Sequence, residues 1–247
     1  MAIRWIVAVR LVGAMPQTEP KAPRAILLDA LDTLVHFEHP APHLQVELRE
    51  RIGLEVTDDE ARAAIRAEVR HYRANLHVGR DADSLAGLRR ECATTMLDHL
   101  PPGARAANLG VITDALVASI RFQPFPEVMQ TLRALRERGL RLVVLSNWDV
   151  SLHAMLEHTG IAELVDGAVS SAEHGVAKPD PAIFEHALAL AGASAEEAWH
   201  VGDSPEADVA GAEAAGVSPV LVWRGDAPPV TGARVITDLS ELLALLD

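Results

Sequence analysis

Three places in the 247-residue sequence set chemically useful side chains directly after apolar runs. Asp29 follows Ala25-Ile26-Leu27-Leu28, Ser146 and Asn147 follow Leu142-Val143-Val144-Leu145, and Asp203 follows Val201-Gly202, with Asp208 five residues further on. A fourth, Lys178-Pro179-Asp180-Pro181, holds one of only two lysines; the other is Lys21, and arginine supplies nearly all the remaining positive charge. Aspartates offer hard oxygens that suit a divalent cation such as Mg²⁺. A hydroxyl beside backbone amides binds an anionic oxygen without adding charge. An ammonium is a compact point charge where a guanidinium is a broad fork, so keeping lysine here fits a confined site. Gly202 permits close backbone approach, and Asp208, nearly a turn and a half beyond Asp203, is spaced to orient metal-bound water or Lys178. Pro179 and Pro181 stiffen the lysine's loop and start the next helix.

These side chains need strand ends to hold them. Ala25–Leu28 fits a buried central strand whose carboxyl edge carries Asp29, the edge where open α/β sheets place ligands. The spacing predicts further strands at 140–145, 165–169, 198–201 and 219–223. Between and after them it predicts helices at 127–138, 150–158, 181–190, 206–215 and 238–246. That alternation calls for a mostly parallel sheet covered on both faces. After an exit rich in His and Pro at 36–42, the period becomes helical, with helices expected at 43–52, 58–74, 84–99 and 105–120. Thr57 and Glu60 have capping-box spacing, as do Asp238 and Glu241. Gln123-Pro124-Phe125-Pro126 reads as a hinge where the core resumes. The resulting organisation is an N-terminal extension at 1–24, a core at 25–38 and 122–247, and an all-helical insertion at 39–121.

The four motifs together resemble those of the haloacid dehalogenase-like (HAD-like) hydrolase superfamily, and a helical insertion between the first two resembles its first cap subclass. The resemblance covers roughly residues 25 to 225. It implies a three-layer Rossmann-like core of central strand order 5-4-1-2-3 and Mg²⁺-dependent phosphoester hydrolysis through an aspartyl-phosphate. On that reading Asp29 is the nucleophile, while Ser146 and Lys178 stabilise the transferred group. Thr33 and Asn147 join them in substrate binding; Asp29, Asp203 and the Leu31 backbone carbonyl hold the metal, with Asp208 in support. The usual first motif is Asp-x-Asp-Gly-Thr, whereas this chain reads Asp29-Ala30-Leu31-Asp32-Thr33. Leu31 can neither protonate a leaving group nor activate water, a loss commonly worth about 10²- to 10⁴-fold. Asp32 is the neighbouring carboxylate and an alternative acid/base. Haloacid dehalogenases also carry a nonacidic residue at the Leu31 position, so that activity is an alternative, with cap arginines Arg62, Arg66, Arg70 and Arg73 as candidates for a substrate carboxylate. A catalytically weak metal-binding or regulatory protein is another. The cap holds no lysine, which disfavours phosphonate hydrolysis by a Schiff base.

A formal net charge of −13 disfavours nucleic acid or an anionic membrane as main partner and leaves a small anionic substrate, taken up by a local positive pocket. Cys92 is the only cysteine, so the chain has neither an internal disulfide nor a cysteine-based zinc cluster, and a reducing cytoplasm is its natural setting. Ala2–Ala14 is apolar but interrupted by Arg4 and Arg10 and is short of the roughly 20 residues that span a bilayer. It reads as a poorly packed extension, with Met15 as an alternative start. His71 and His200 read as solvent-facing or sheet-packing groups rather than metal ligands. Trp148 reads equally well as a wall of the site entrance or a cover for the sheet edge.

Overall fold

The computed structural model describes residues 22–247. The expectations for Met15 and for most of the N-terminal extension lie outside the described residues. Arg24, the last residue assigned to that extension, is already tied to the sheet: its amide donates to the Glu197 carbonyl at 2.7 Å and its carbonyl accepts from the Arg141 amide at 2.9 Å.

The strands in chain order are β1 (Ala25–Leu28), β2 (Val35–Phe37), β3 (Phe122–Pro124), β4 (Arg141–Ser146), β5 (Gly167–Ser170), β6 (Ala198–Gly202), β7 (Ser218–Val222) and β8 (Arg234–Ile236). A parallel sheet of order β5-β4-β1-β6-β7-β8 puts β1 between β4 and β6. Counting only β1, β4, β5, β6 and β7, this is the 5-4-1-2-3 order that the resemblance implies; β8 extends it at one edge, paired to β7. Side chains alternate across the sheet. Ile26, Leu28, Leu142 and Val144 face one layer, Ala25, Leu27, Val143 and Leu145 the other, and all eight are fully buried.

The helices are α1 (Pro40–Ile52), α2 (Asp58–Asn75), α3 (Ala82–Met96), α4 (Gly103–Ala106), α5 (Leu109–Ser119), α6 (Val128–Glu137), α7 (Leu152–His158), α8 (Ser171–His174), α9 (Pro181–Ala191), α10 (Gly211–Ala214) and α11 (Leu242–Leu245). Val128, Leu132 and Leu135 of α6, with Leu152 and Leu156 of α7, cover the first face of the sheet. Ile183, Phe184 and Ala187 of α9 cover the second, which gives three layers. Helices α1 to α5 are inserted between β2 and β3 and bury a separate core around Leu44, Leu48, Leu88, Met96, Ile112 and Leu116. Burying such a side chain completely is worth about 1.5–3 kcal/mol, so the insertion has a core of its own rather than draping the sheet. Both capping boxes form as expected, at Thr57 with Glu60 and at Asp238 with Glu241.

The structure corrects several expectations. The helix expected over 105–120 is broken into α4 and α5, because Asn108 leaves the helical conformation and its side chain accepts from the Gly110 amide, starting a new helix. The segments read as an exit and a hinge pair as the antiparallel ribbon β2–β3, so the insertion is joined to the core by a short two-stranded stem. The helix expected over 206–215 begins as a wide π-helical turn at Pro205–Ala210, and the C-terminal one as a tight 3₁₀ turn at Leu239–Glu241. The helix expected from Ser84 begins earlier, at Ala82, because Asp81 caps it: the Asp81 side chain accepts from the Ser84 amide.

Candidate active site

Asp29 leaves the sheet at the end of β1, its amide donating to the Val201 carbonyl at 2.9 Å. Parallel register sets Ser146 and Gly202 at the same edge on the flanking strands, and the loops that follow carry Asn147 and Asp203. The Ser146 hydroxyl donates to Asp29 Oδ1 at 3.0 Å. Lys178 Nζ, also buried, donates to Asp29 Oδ1 at 2.6 Å and to Asp208 Oδ1 at 2.5 Å. Asn147 fastens the lysine's loop from both sides, its Nδ2 donating to the Lys178 carbonyl at 2.9 Å and its Oδ1 accepting the Lys178 amide at 2.8 Å. The side-chain amide is therefore committed to Lys178.

Carboxylate oxygens of Asp29, Asp203 and Asp208 lie within 4.8 Å of one another. A Cβ at position 202 would overlap the Asp208 carboxyl, which is why glycine must precede Asp203 here. Both Asp208 oxygens have protein donors. Oδ1 accepts from Lys178 and, at 2.9 Å, from His200 Nε2, while Oδ2 accepts the Ser204 amide at 2.9 Å. Burial alone would raise the Asp208 pKa, but Lys178 and His200 hold it well below the usual carboxylate range. Burial would likewise lower Lys178, and Asp29 and Asp208 keep it above its ordinary value. Asp29 is raised, by burial first and by Asp208, against the pull of Lys178. Asp203 is pushed up to about 7 by burial and then by repulsion from Asp29, Asp208 and Asp32. Three carboxylates facing one ammonium leave an excess of negative charge, and their donors are hard oxygens. That set fits a divalent cation.

The sequence profile described as haloacid dehalogenase-like hydrolase matches residues 23–216. The chain belongs to this family. The human haloacid dehalogenase-like hydrolase domain-containing protein 3 is 31% identical over 238 residues, covering 91% of this chain and 94% of the relative. A glyceraldehyde 3-phosphate phosphatase of Methanopyrus kandleri is 34% identical, covering 82% of this chain and 84% of its own. The crystal structure of a 2-haloacid dehalogenase from Pseudomonas syringae pv. Tomato DC3000 superposes with a TM-score of 0.63 at 24% identity, covering 91% of this chain and 98% of that one, a likeness of fold. The chain is thus a HAD-like hydrolase with a buried aspartate cluster at the carboxyl edge of its sheet. Among the described residues no helix is long and apolar enough to cross a membrane.

Within this HAD-like site the remaining expected residues fall in different places. Thr33 is fully buried and its hydroxyl has no protein partner, while its carbonyl accepts from Arg224 at 3.1 Å. Leu31 is half-buried and forms a bridge with Val35. Asp32 is exposed, with a left-handed φ of 60°, in the slot where the usual motif has glycine. Arg224 braces that turn, donating also to the Asp32 carbonyl at 3.3 Å and to Glu127 at 2.6 Å, with its guanidinium stacked 3.6 Å over Phe125. No motif marks Arg224, which is almost two hundred residues from the turn it holds. His200 packs in the sheet as expected, edge-on to Phe184, and its role as donor to Asp208 was not legible in the sequence. His71 lies near the surface, paired with Glu91 at 3.3 Å.

A cavity of about 810 Å³ opens between the sheet edge and the inserted helices. Leu31, Asp32 and Asn147 line its core end, and Glu68, Tyr72 and Cys92 its helical end. Trp148 satisfies both readings: it is nearly buried against Phe122 at a centroid distance of 5.0 Å, and it lines this cavity. Of the four arginines considered in the insertion, Arg73 lines the cavity, while Arg62 pairs with Asp58 at 2.6 Å. Arg89 and Arg121, which sequence reasoning passed over, line it as well. Tyr72 donates to Asp149 at 2.8 Å and so fastens α2 to the loop that follows Ser146 and Asn147.

Proposed function

We propose that the chain is a Mg²⁺-dependent phosphomonoesterase acting through an aspartyl-phosphate on Asp29. The observation that carries this reading is the contact of one Asp29 oxygen with both Lys178 and Ser146, beside the carboxylates of Asp203 and Asp208. Asp29, Asp203 and the Leu31 carbonyl would hold Mg²⁺, with Asp208 fixing Lys178. When bound, the ion supplies neutralisation of charge on the transferred oxygens. An Asp29 oxygen attacks phosphorus, the bond from phosphorus to the ester oxygen breaks, and the leaving group departs with the bonding electron pair. Lys178 and Ser146 hold the nonbridging oxygens through this transfer, and Thr33 lies in the same loop with a hydroxyl free to bond. Water then attacks the acyl phosphate and releases phosphate and the Asp29 carboxylate. Residues 39–121 act as a cap over a core formed by 25–38 and 122–247. We place the reaction on a small phosphorylated substrate in the cytoplasm, where Cys92 stays reduced.

Leu31 shapes the substrate range. With no acid there, an aryloxide, already the more stable anion, departs more readily than an alkoxide. Asp32 is the alternative acid/base, but its carboxylate is one residue displaced and in a different backbone conformation. The same leucine favours a second reading, 2-haloacid dehalogenation, because halide leaves without a proton; the Asp203 carboxylate argues against it, since that route has no use for a metal. The test is phosphate release from aryl and alkyl phosphates, with and without Mg²⁺, for the wild type and for Asp29→Asn. Expected are Mg²⁺-dependent turnover, faster for aryl esters, and a loss on the order of 10⁴-fold or more in the variant. Equal activity in both proteins overturns the mechanism. Chloride release from 2-chloropropionate without metal, in place of phosphate release, establishes the dehalogenase. Mg²⁺ binding by titration with no product from either class leaves a binding protein.

A further inference from the structure

Among the ionisable groups that line the large cavity, one buried carboxyl is used neither by the proposed chemistry nor by a side-chain ion pair. Glu68 on α2 is 5% exposed and lines the 810 Å³ space together with Val69, Tyr72 and Arg73 of the same helix face. Burial pushes its carboxyl up to about 7, opposed by the neighbouring Cys92 thiol. The neighbouring polar pair is self-satisfied, with Tyr72 donating to Asp149 at 2.8 Å. The rest of the wall is mostly apolar, including Leu116, Ile120, Phe122, Trp148 and Met155, and the exposed Arg73 and Arg121 line it as well. A carboxyl buried in this way has no protein side chain paired with it through a short hydrogen bond, so a ligand that enters the cavity with a donor gains a partner there.

We propose that this cavity receives the body of the phosphate ester, that this body is largely apolar and at least ring-sized, and that it carries a hydrogen-bond donor, hydroxyl or amine, which Glu68 accepts. The proposal rests on reading the sheet-edge site as a phosphomonoesterase. The space is of the size that encloses a drug-sized ligand, so a three-carbon phosphate would leave most of it to water. A buried acceptor that pairs with the ligand rejects the analogue lacking the donor more strongly than an apolar wall rejects a missing methylene. Glu68 thereby selects among bodies, while Asp29, Ser146 and Lys178 act on the phosphate they share.

The O-phosphates of tyramine, 4-(2-hydroxyethyl)phenol and 4-ethylphenol share nearly the same leaving group and differ at the far end. Their kcat/KM values with Mg²⁺ are compared in wild type, Glu68→Met and Glu68→Gln, and binding of the three free phenols is measured by calorimetry. Expected is a preference of about 10- to 100-fold for the two donor-bearing compounds in wild type, in both rate and affinity. Glu68→Met brings the ratios close to one. Glu68→Gln keeps the hydroxyl preference and loses the amine preference, which separates the two kinds of donor and decides the matter if the methionine variant does not fold. No preference in wild type, or ratios unmoved by the substitutions, overturns the proposal. If none of the esters is hydrolysed but the calorimetric preference appears and depends on Glu68, the cavity assignment stands and the phosphomonoesterase reading falls.

Discussion

The sheet-edge cluster and the cavity above it meet at Leu31, Asp32 and Asn147, yet they treat buried charge in opposite ways. In the cluster the central groups are paired: Lys178 bridges two carboxylates, and Asp208 has a donor on each oxygen. In the cavity Glu68 is buried with no side-chain ion pair, and the Cys92 thiol beside it offsets little of that burial. A closed network holds reacting atoms in one geometry before substrate arrives, which is what charge stabilisation in a transition state demands. An open acceptor waits for its partner, which is what discrimination among substrates demands. The first is built from strand ends of the core, the second from one face of an inserted helix, so the two can vary independently.

The sharpest way to break the contrast is to remove the cation of the cluster. Lys178→Met leaves two carboxylates buried without their ammonium and is expected to destabilise the fold by about 3–5 kcal/mol, read as a fall in denaturant midpoint. Added Mg²⁺ should restore part of that loss by binding the folded state. A loss below about 1 kcal/mol, as at a surface ion pair, would mean the cluster is not the closed network described.

Glu68→Gln probes the opposite region. The folded protein keeps the Glu68 proton up to about pH 7, whereas the unfolded chain releases it near 4.5. This contribution is therefore complete below pH 4.5 and lost as the pH rises through 7. Wild type and variant should have similar stability at pH 4, and the variant should be more stable by about 3 kcal/mol at pH 8.5. Urea titrations at the two pH values check this, and parallel curves at both would show that Glu68 has a donor after all.

Two smaller effects sharpen the boundary between the regions. Leu31→Asp should raise alkyl phosphate turnover by about 10²-fold while changing aryl phosphate turnover little, since only the alkoxide needs a proton. Equal gains for both esters would point to repacking at the cavity floor instead. Asp32→Gly should stabilise the protein by less than about 1 kcal/mol, because relief of the left-handed conformation is partly offset by the freer unfolded chain. A thermal midpoint that falls would show that the Asp32 side chain contributes more than its backbone costs.

How much of this was legible in the sequence follows from how local each feature is. The apolar run before Asp29, the Gly202-Asp203 pair with Asp208 after it, and Lys178 before Pro179 are contiguous signals; strand periodicity puts the first two at the sheet edge, and the loop before α9 brings Lys178 to them. Capping at Thr57 and Asp238 is likewise a matter of residues three apart. The break at Asn108 was missed because a local side-chain hydrogen bond competes with the helix, and the β2–β3 stem because it pairs residues 35–37 with 122–124 across the whole insertion, which periodicity does not register.

The sequence by itself determined the chemistry available: one acidic nucleophile candidate, one lysine in a stiff loop, two further aspartates, and a leucine in place of an acid. Only the tertiary structure decided which groups meet. Arg224 reaches the turn at Asp32 and Thr33, His200 supports Asp208 from beneath the site, and Glu68 looks into the cavity rather than into water. The physical reason is that strand order and helix facing are set by burial of the whole chain's apolar surface, a collective quantity, whereas a motif records only the spacing of its own residues.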